Sequence, residues 1–258
     1  MVWPVSPFVK ALSSRARVLI VGSVAVILHG MSRHTKVIDV WLEPLSSAED
    51  WAELVESVRE QFAESYYWDL SRREIIEQGE VVECVNAVGV VRIGNVEPPL
   101  DIFRKPNNLE LTDFEGAGAS ARSSEGEDYR ILHEAELIVT KTGTPRDNDL
   151  TDIVFLESKI RQEMAPILRS CPPEEARRLF ARYVDHETCR AALANPHTEV
   201  RALATETLRE NQLVGMHVPP EQGIASWVAR SGQSAVVNDA AHDPRFYGGT
   251  GSHEHVRG

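Results

Sequence analysis

Cysteine, positive charge and long apolar runs are all scarce in this chain of 258 residues. The three cysteines, Cys84, Cys171 and Cys189, are odd in number and far apart. They form no CxxC pair and no His/Cys cluster, which excludes a disulfide framework and a cysteine-based zinc site. Lys and Arg number 27 against 39 Asp and Glu, a net charge of −12. An acidic chain is a poor wrapper of DNA, because phosphate binding needs a cationic face. Between Glu43 and Glu80 stand 11 acidic and 3 basic residues, the pattern of a solvated helix face. The most apolar run, Val18 to Leu28, is too short to span a bilayer and is broken by Gly22 and Ser23. Met1 to Lys10 lacks the charged start and apolar stretch of a signal peptide, so the expectation is a cytoplasmic protein with no membrane partner.

What is present is an alternation of short strands and helices. Val18–Val21 reads as a buried strand and Val24–His29 as a helix ending at Gly30. Thr35–Leu42 reads as a second strand, and Ser46–Glu64 as an amphipathic helix with Trp51, Leu54, Val55, Val58 and Phe62 on one stripe. Ser71 with Glu74 fits a capping box opening a short helix. Val81–Asn86 and Val88–Ile93 read as a strand pair, Leu100–Phe103 as a further strand, and Gly116–Gly126 as a surface loop. Helices follow over Glu134–Lys141, Asp149–Ser158, Pro173–Tyr183 and His197–Arg209. Asn195–Arg201 resembles one unit of a helical repeat with no second copy. The texture changes near Asn211, where glycines become frequent and the end turns polar.

The first chemical constellation is a strand, the Gly22-Ser23 turn, a helix, and a strand carrying Asp39. Glycine lets backbone approach a ligand closely, and amides at a helix start favour phosphate. His29, Arg33, His34 and Lys36 bring positive charge just before the second strand. Residues 37, 39 and 41 share one strand face. Asp101 lies in the apolar segment Leu100-Asp101-Ile102-Phe103, where a carboxylate must be paired, hydrogen-bonded or metal-bound. Adjacent strands would bring Asp39 and Asp101 together around a divalent cation. The alternative is a pair of ordinary ion pairs with Arg33 and Arg104. Lys141, Arg146, Asp149 and Asp152 read mainly as structural charges at helix ends, with phosphate or partner contact by Lys141 as the second reading.

The runs Val21-Gly22-Ser23 through His29-Gly30, Arg33-His34-Thr35, and Val37-Ile38-Asp39 resemble the nucleotidyltransferase superfamily. The nearest likeness is its small bacterial branch from toxin–antitoxin and phage-defence modules. Asp101 matches that family's third carboxylate, and Lys141, Arg146, Asp149 and Asp152 match its later Lys, Arg and acids. The resemblance covers about residues 15 to 160. It implies an α/β fold, a mixed sheet flanked by helices, over 1–160, with a helical extension over 161–212. It also implies a nucleoside triphosphate held by Gly22, Ser23, Arg33, Lys36 and Lys141, and Mg2+ held by Asp39 and Asp101. Transfer of a nucleotidyl group would be to a protein, an RNA or a small hydroxyl acceptor. One position departs: the family's first metal-binding aspartate is here Val37, which cannot bind a hard cation. The metal site is therefore expected to be degenerate, and Val37→Asp to restore it. The alternative is a non-catalytic nucleotide-binding or toxin–antitoxin-type regulatory partner.

A second resemblance lies in residues 213–258. Gly223-Ile224-Ala225-Ser226-Trp227-Val228, followed by Asn238-Asp239 and Asp243-Pro244-Arg245-Phe246, resembles the middle of a GAF sensor domain. A whole GAF domain is more than twice as long. The expectation is a partial segment, a remnant without a closed ligand pocket and with a disordered end. A GAF-containing signalling fragment is the second alternative.

Overall fold

The computed structural model describes residues 6–124, 126–144 and 146–210. The GAF-like segment lies outside the described residues. The described chain is mixed α/β, and no helix in it is long and apolar enough to cross a membrane. The described residues divide into two compact units, one of 6–167 with Arg178–Tyr183, the other of Leu168–Arg177 with 184–210.

The first unit opens with α1 (Pro7–Ser13), β1 (Val18–Val21), α2 (Gly22–Leu28) and β2 (Ile38–Leu42). There follow α3 (Ala48–Arg59), β3 (Tyr66–Asp69), β4 (Glu74–Ile76), α4 (Val81–Val88), β5 (Val90–Gly94) and β6 (Leu100–Phe103). Next come α5 (Asp113–Ser120), β7 (Arg122–Ser123), β8 (Arg130–Ile131), α6 (Glu134–Lys141) and α7 (Asp147–Leu168). The strands form one sheet in the order β4-β3-β5-β6-β2-β1-β8-β7. The β2/β6 and β1/β8 pairs are parallel and the rest antiparallel. All four residues of β1, Val-Leu-Ile-Val, are buried, as expected of a central strand covered on both faces. The core includes Phe8, Leu12, Ile20, Trp41, Trp51, Ile93, Leu100 and Ile102.

The local chemistry of several elements is plain. The Ser47 hydroxyl accepts from the Asp50 amide at 3.0 Å and caps α3. Trp51, Val55 and Val58 then recur at helical spacing on its buried side. The Glu97–Pro98 peptide is cis.

Three expectations are corrected. Val81–Asn86, expected as a strand, is helix α4. Its Val81, Cys84 and Val85 form one buried face, and Gly89 ends it in the left-handed region. A Cβ at Gly89 would stand 2.4 Å from the Lys105 carbonyl oxygen. Burial at helical spacing here outweighs the β preference of valine. Gly116–Gly126, expected as a loop, holds the second half of α5, which buries Phe114 and Ala117, and the short strand β7. Ser71 opens no helix. The Asp69 carboxylate accepts from the Ser71 amide, the Ser71 hydroxyl and the Arg72 amide, and this turn joins β3 to β4.

The second unit is helical. Its described part contains the first half of α8 (Pro173–Arg182), whose second half belongs to the first unit, then α9 (His186–Leu193) and α10 (Thr198–Glu210). Asp185 and Thr188 form a reciprocal cap on α9. The buried Asn195 donates to the carbonyls of Leu168 and Cys171 at 2.8 and 3.0 Å, and its own oxygen accepts from the His197 amide. The repeat-like segment thus begins in the turn between α9 and α10, its asparagine satisfying carbonyls at the end of α7 and just before α8.

Candidate functional site

The C-terminal end of β1 turns sharply into α2 at Gly22-Ser23. Gly22 has φ +58°, and a Cβ there would stand 2.0 Å from Asp39 Oδ2. Only glycine satisfies both the backbone conformation and the approach of that carboxylate. The Ser23 amide lies 3.4 Å from the same oxygen, and the Ser23 hydroxyl accepts from Arg33 Nη2 at 2.9 Å.

Asp39 on β2 stands directly opposite Val21 on β1 and opposite Asp101 on β6. In turn Asp101 stands opposite Arg92 on β5. Three charged side chains therefore occupy successive positions on neighbouring strands. Arg92 grips Asp101 with two bonds, Nε to Oδ1 at 2.6 Å and Nη2 to Oδ2 at 2.9 Å. Among the described residues Asp39 has no cation within ion-pair distance. Burial, and then the Asp101 carboxylate beside it, push its carboxyl up to about 7.

Facing these strands is a network on α6 and α7. The Lys141 ammonium lies 2.8 Å from Asp149 Oδ1 and 2.8 Å from Asp152 Oδ2. Asp152 is fully buried and also receives Arg33 Nη1. Burial opposes ionisation of Asp149, but the Lys141 ammonium and the Thr144 hydroxyl outweigh it, so its carboxyl falls below the ordinary range.

A cavity of about 460 Å³ lies between the two groups, lined by Gly22, Ser23, Asp39, Asp101, Phe103, Lys141, Arg146 and Asp149 among others. It brings together five of the residues picked out from sequence: Gly22, Ser23, Asp39, Asp101 and Lys141. Arg33 reaches the site only through Ser23 and Asp152. Lys36 does not reach it; it borders a different hollow with Thr35 and residues 95–99. His29 is buried, with Nε2 2.8 Å from the Leu132 carbonyl and Nδ1 2.9 Å from Glu134, and does not line the cavity. Val37 precedes β2 and is not among the lining residues.

The chain matches no family model, and no curated protein matches it.

The ion pairs offered as the alternative for the two aspartates do not form. Arg33 is taken by Asp152, and Arg104 donates to the Pro44 carbonyl. The partner of Asp101 is Arg92, which the sequence reading passed over. A signal for it existed: Val90-Val91-Arg92-Ile93 and Leu100-Asp101-Ile102 each place one charge in an apolar strand, with opposite signs.

The donor set can be tested against a divalent cation. Magnesium needs near-octahedral oxygen ligands, commonly one or two free carboxylates. Here Asp101 has both oxygens on a guanidinium, and residue 37 offers none. Among the described residues no group of three or more His, Cys, Asp or Glu side chains is placed to hold a metal. The residues as they stand do not fit the ion.

Proposed function

We propose that this chain is a nucleotide-binding protein of nucleotidyltransferase-like architecture in which nucleotidyl transfer has been lost or strongly weakened. One observation carries the reading: the Gly22-Ser23 turn, the in-register pair Asp39 and Asp101, and Lys141 with Arg146 all line one cavity. The turn and Arg146 suit a phosphate chain, and Phe103 offers an apolar surface to a base. The sequence resemblance supplies the ligand class. The missing oxygen ligand at Val37 and the occupied Asp101 argue against turnover, because phosphoryl chemistry relies on metal to neutralise charge.

A second reading, residual transfer to a protein, RNA or small hydroxyl acceptor, is favoured by Asp39, which among the described residues has no cation within ion-pair distance. Thermal unfolding with ATP, CTP, GTP and UTP tests the first reading. At one hundred times Kd a ligand stabilises by about 2.7 kcal/mol, or roughly 5–10 °C for a domain of this size. No shift with any triphosphate refutes nucleotide binding. Label from an α-labelled triphosphate appearing on protein or RNA, and lost in Asp39→Asn, establishes the second reading.

A further inference from the structure

We infer that Arg92, bound to Asp101 from the neighbouring strand, excludes divalent metal from the Asp39–Asp101 pair, and that the pocket therefore takes its nucleotide free of metal. The exclusion rests on geometry alone; the ligand rests on the nucleotide reading above.

The argument begins with register. Arg92, Asp101 and Asp39 are directly opposed on β5, β6 and β2, so all three side chains rise from the same face of the sheet. Directly opposed side chains stand roughly 5 Å apart at Cβ. The Arg92 fork meets both oxygens of Asp101 at 2.6 and 2.9 Å, the parallel pair of bonds that a planar guanidinium forms with a carboxylate. The carboxylate cannot turn both oxygens to a metal without breaking both bonds. Arginine also keeps its proton at any pH the fold tolerates, so the charge is permanent. A metal approaching the two aspartates meets at most one net negative charge, not two, and is repelled by the guanidinium itself; ligand charge is a main determinant of divalent affinity. Asp101 is buried and Arg92 partly so, which limits screening of that repulsion by solvent. Lys141 does not compensate the other way. It is a second cation on the far wall, already neutralised by Asp149 and Asp152.

The test uses manganese alone as the metal probe, with the full chain. Unfolding temperature and manganese electron paramagnetic resonance are measured for the parent, Asp101→Asn, Arg92→Gln, Arg92→Lys and Arg92→Gln/Asp101→Asn. The parent is expected to bind no manganese at this pocket and to unfold within about 1 °C of its temperature in EDTA. Arg92→Gln is expected to bind manganese and gain about 3 °C or more, and the added Asp101→Asn to abolish the gain. Arg92→Lys keeps the charge and is expected to stay silent. A parent that binds manganese in a way lost with Asp101→Asn overturns the inference, and that measurement needs no Arg92 variant to fold. A folded Arg92→Gln protein with no manganese response overturns it as well. In the nucleotide arm, ATP in EDTA is expected to stabilise the parent as much as ATP with magnesium. Stabilisation that requires magnesium overturns the metal-free ligand while leaving the nucleotide reading in place. No response to any triphosphate removes the nucleotide reading, and the manganese arm then decides the exclusion by itself.

Discussion

Asp39→Asn removes a carboxylate that the fold resists ionising. Its surroundings are the Asp101 carboxylate on β6, Arg92 beyond it, Lys141 across the cavity and the Ser23 amide. Burial and Asp101 lift its carboxyl from the ordinary 3.8 to about 7. At about 1.36 kcal/mol for each pH unit, the ionised group costs the folded state about 4 kcal/mol. The sign follows from linkage. Below 3.8 the group is protonated in both states and costs nothing. As pH rises toward 7 the unfolded chain releases the proton and the folded one keeps it, so stability falls. Above 7 the whole cost is present. Asparagine is neutral throughout and can still accept from Ser23. The variant should therefore gain less than about 1 kcal/mol at pH 4 and about 4 kcal/mol at pH 8. In melting temperature that is roughly 8–16 °C at pH 8. Calorimetry in EDTA without nucleotide, at pH 4, 6 and 8, checks it. An equal gain at pH 4 and pH 8, or a loss at pH 8, would refute the claim that burial and Asp101 hold the Asp39 proton.

Gly22→Ala should cost more than about 2 kcal/mol in urea unfolding, since a left-handed conformation alone costs about 1–2 kcal/mol and its Cβ collides with Asp39. Pairing it with Asp39→Ala should recover only part of the cost of that collision, because the Cβ at position 39, 2.8 Å from the added methyl, remains. Asp152→Asn leaves Arg33 and Lys141 facing each other without their shared anion, and about 3–5 kcal/mol should be lost in denaturant titration; a loss below about 1 kcal/mol would show that Asp149 suffices for Lys141. Burial works against ionised Glu134, but the His29 side chain outweighs it and draws the carboxyl down to about 2 from 4.5. Glu134→Gln should therefore lose about 3 kcal/mol at pH 7, and the deficit should shrink as pH falls from 4.5 toward 2, followed by circular dichroism. Val37→Asp alone should produce no manganese-dependent rise in melting temperature, because Arg92 still holds Asp101. A clear rise would place a working ligand at 37 and weaken the role given to Arg92.

The sequence by itself determined the parts whose cause is local. The aliphatic run of β1, the Gly22-Ser23 break, the His29-Gly30 helix end, and α6 from Glu134 to Lys141 all form where their residues dictate. Apolar spacing and stop residues act over a few positions and need no partner. The juxtaposition of Asp39 and Asp101 was also within reach, because two apolar strands each carrying one carboxylate tend to lie side by side and satisfy it together. Tertiary structure decided the rest. Val81–Val88 is helical because its buried face finds α3 and β5, against the preference of valine. Lys36 turns toward a different hollow and Arg33 toward Asp152, although their sequence neighbourhood suggested phosphate. Arg92, not Arg33 or Arg104, holds Asp101, because only strand register places them opposite. Each of these depends on which distant group supplies the partner charge or the covering surface. Spacing along the chain does not carry that information, because a charge or a face is satisfied by whatever the fold brings within a few ångströms.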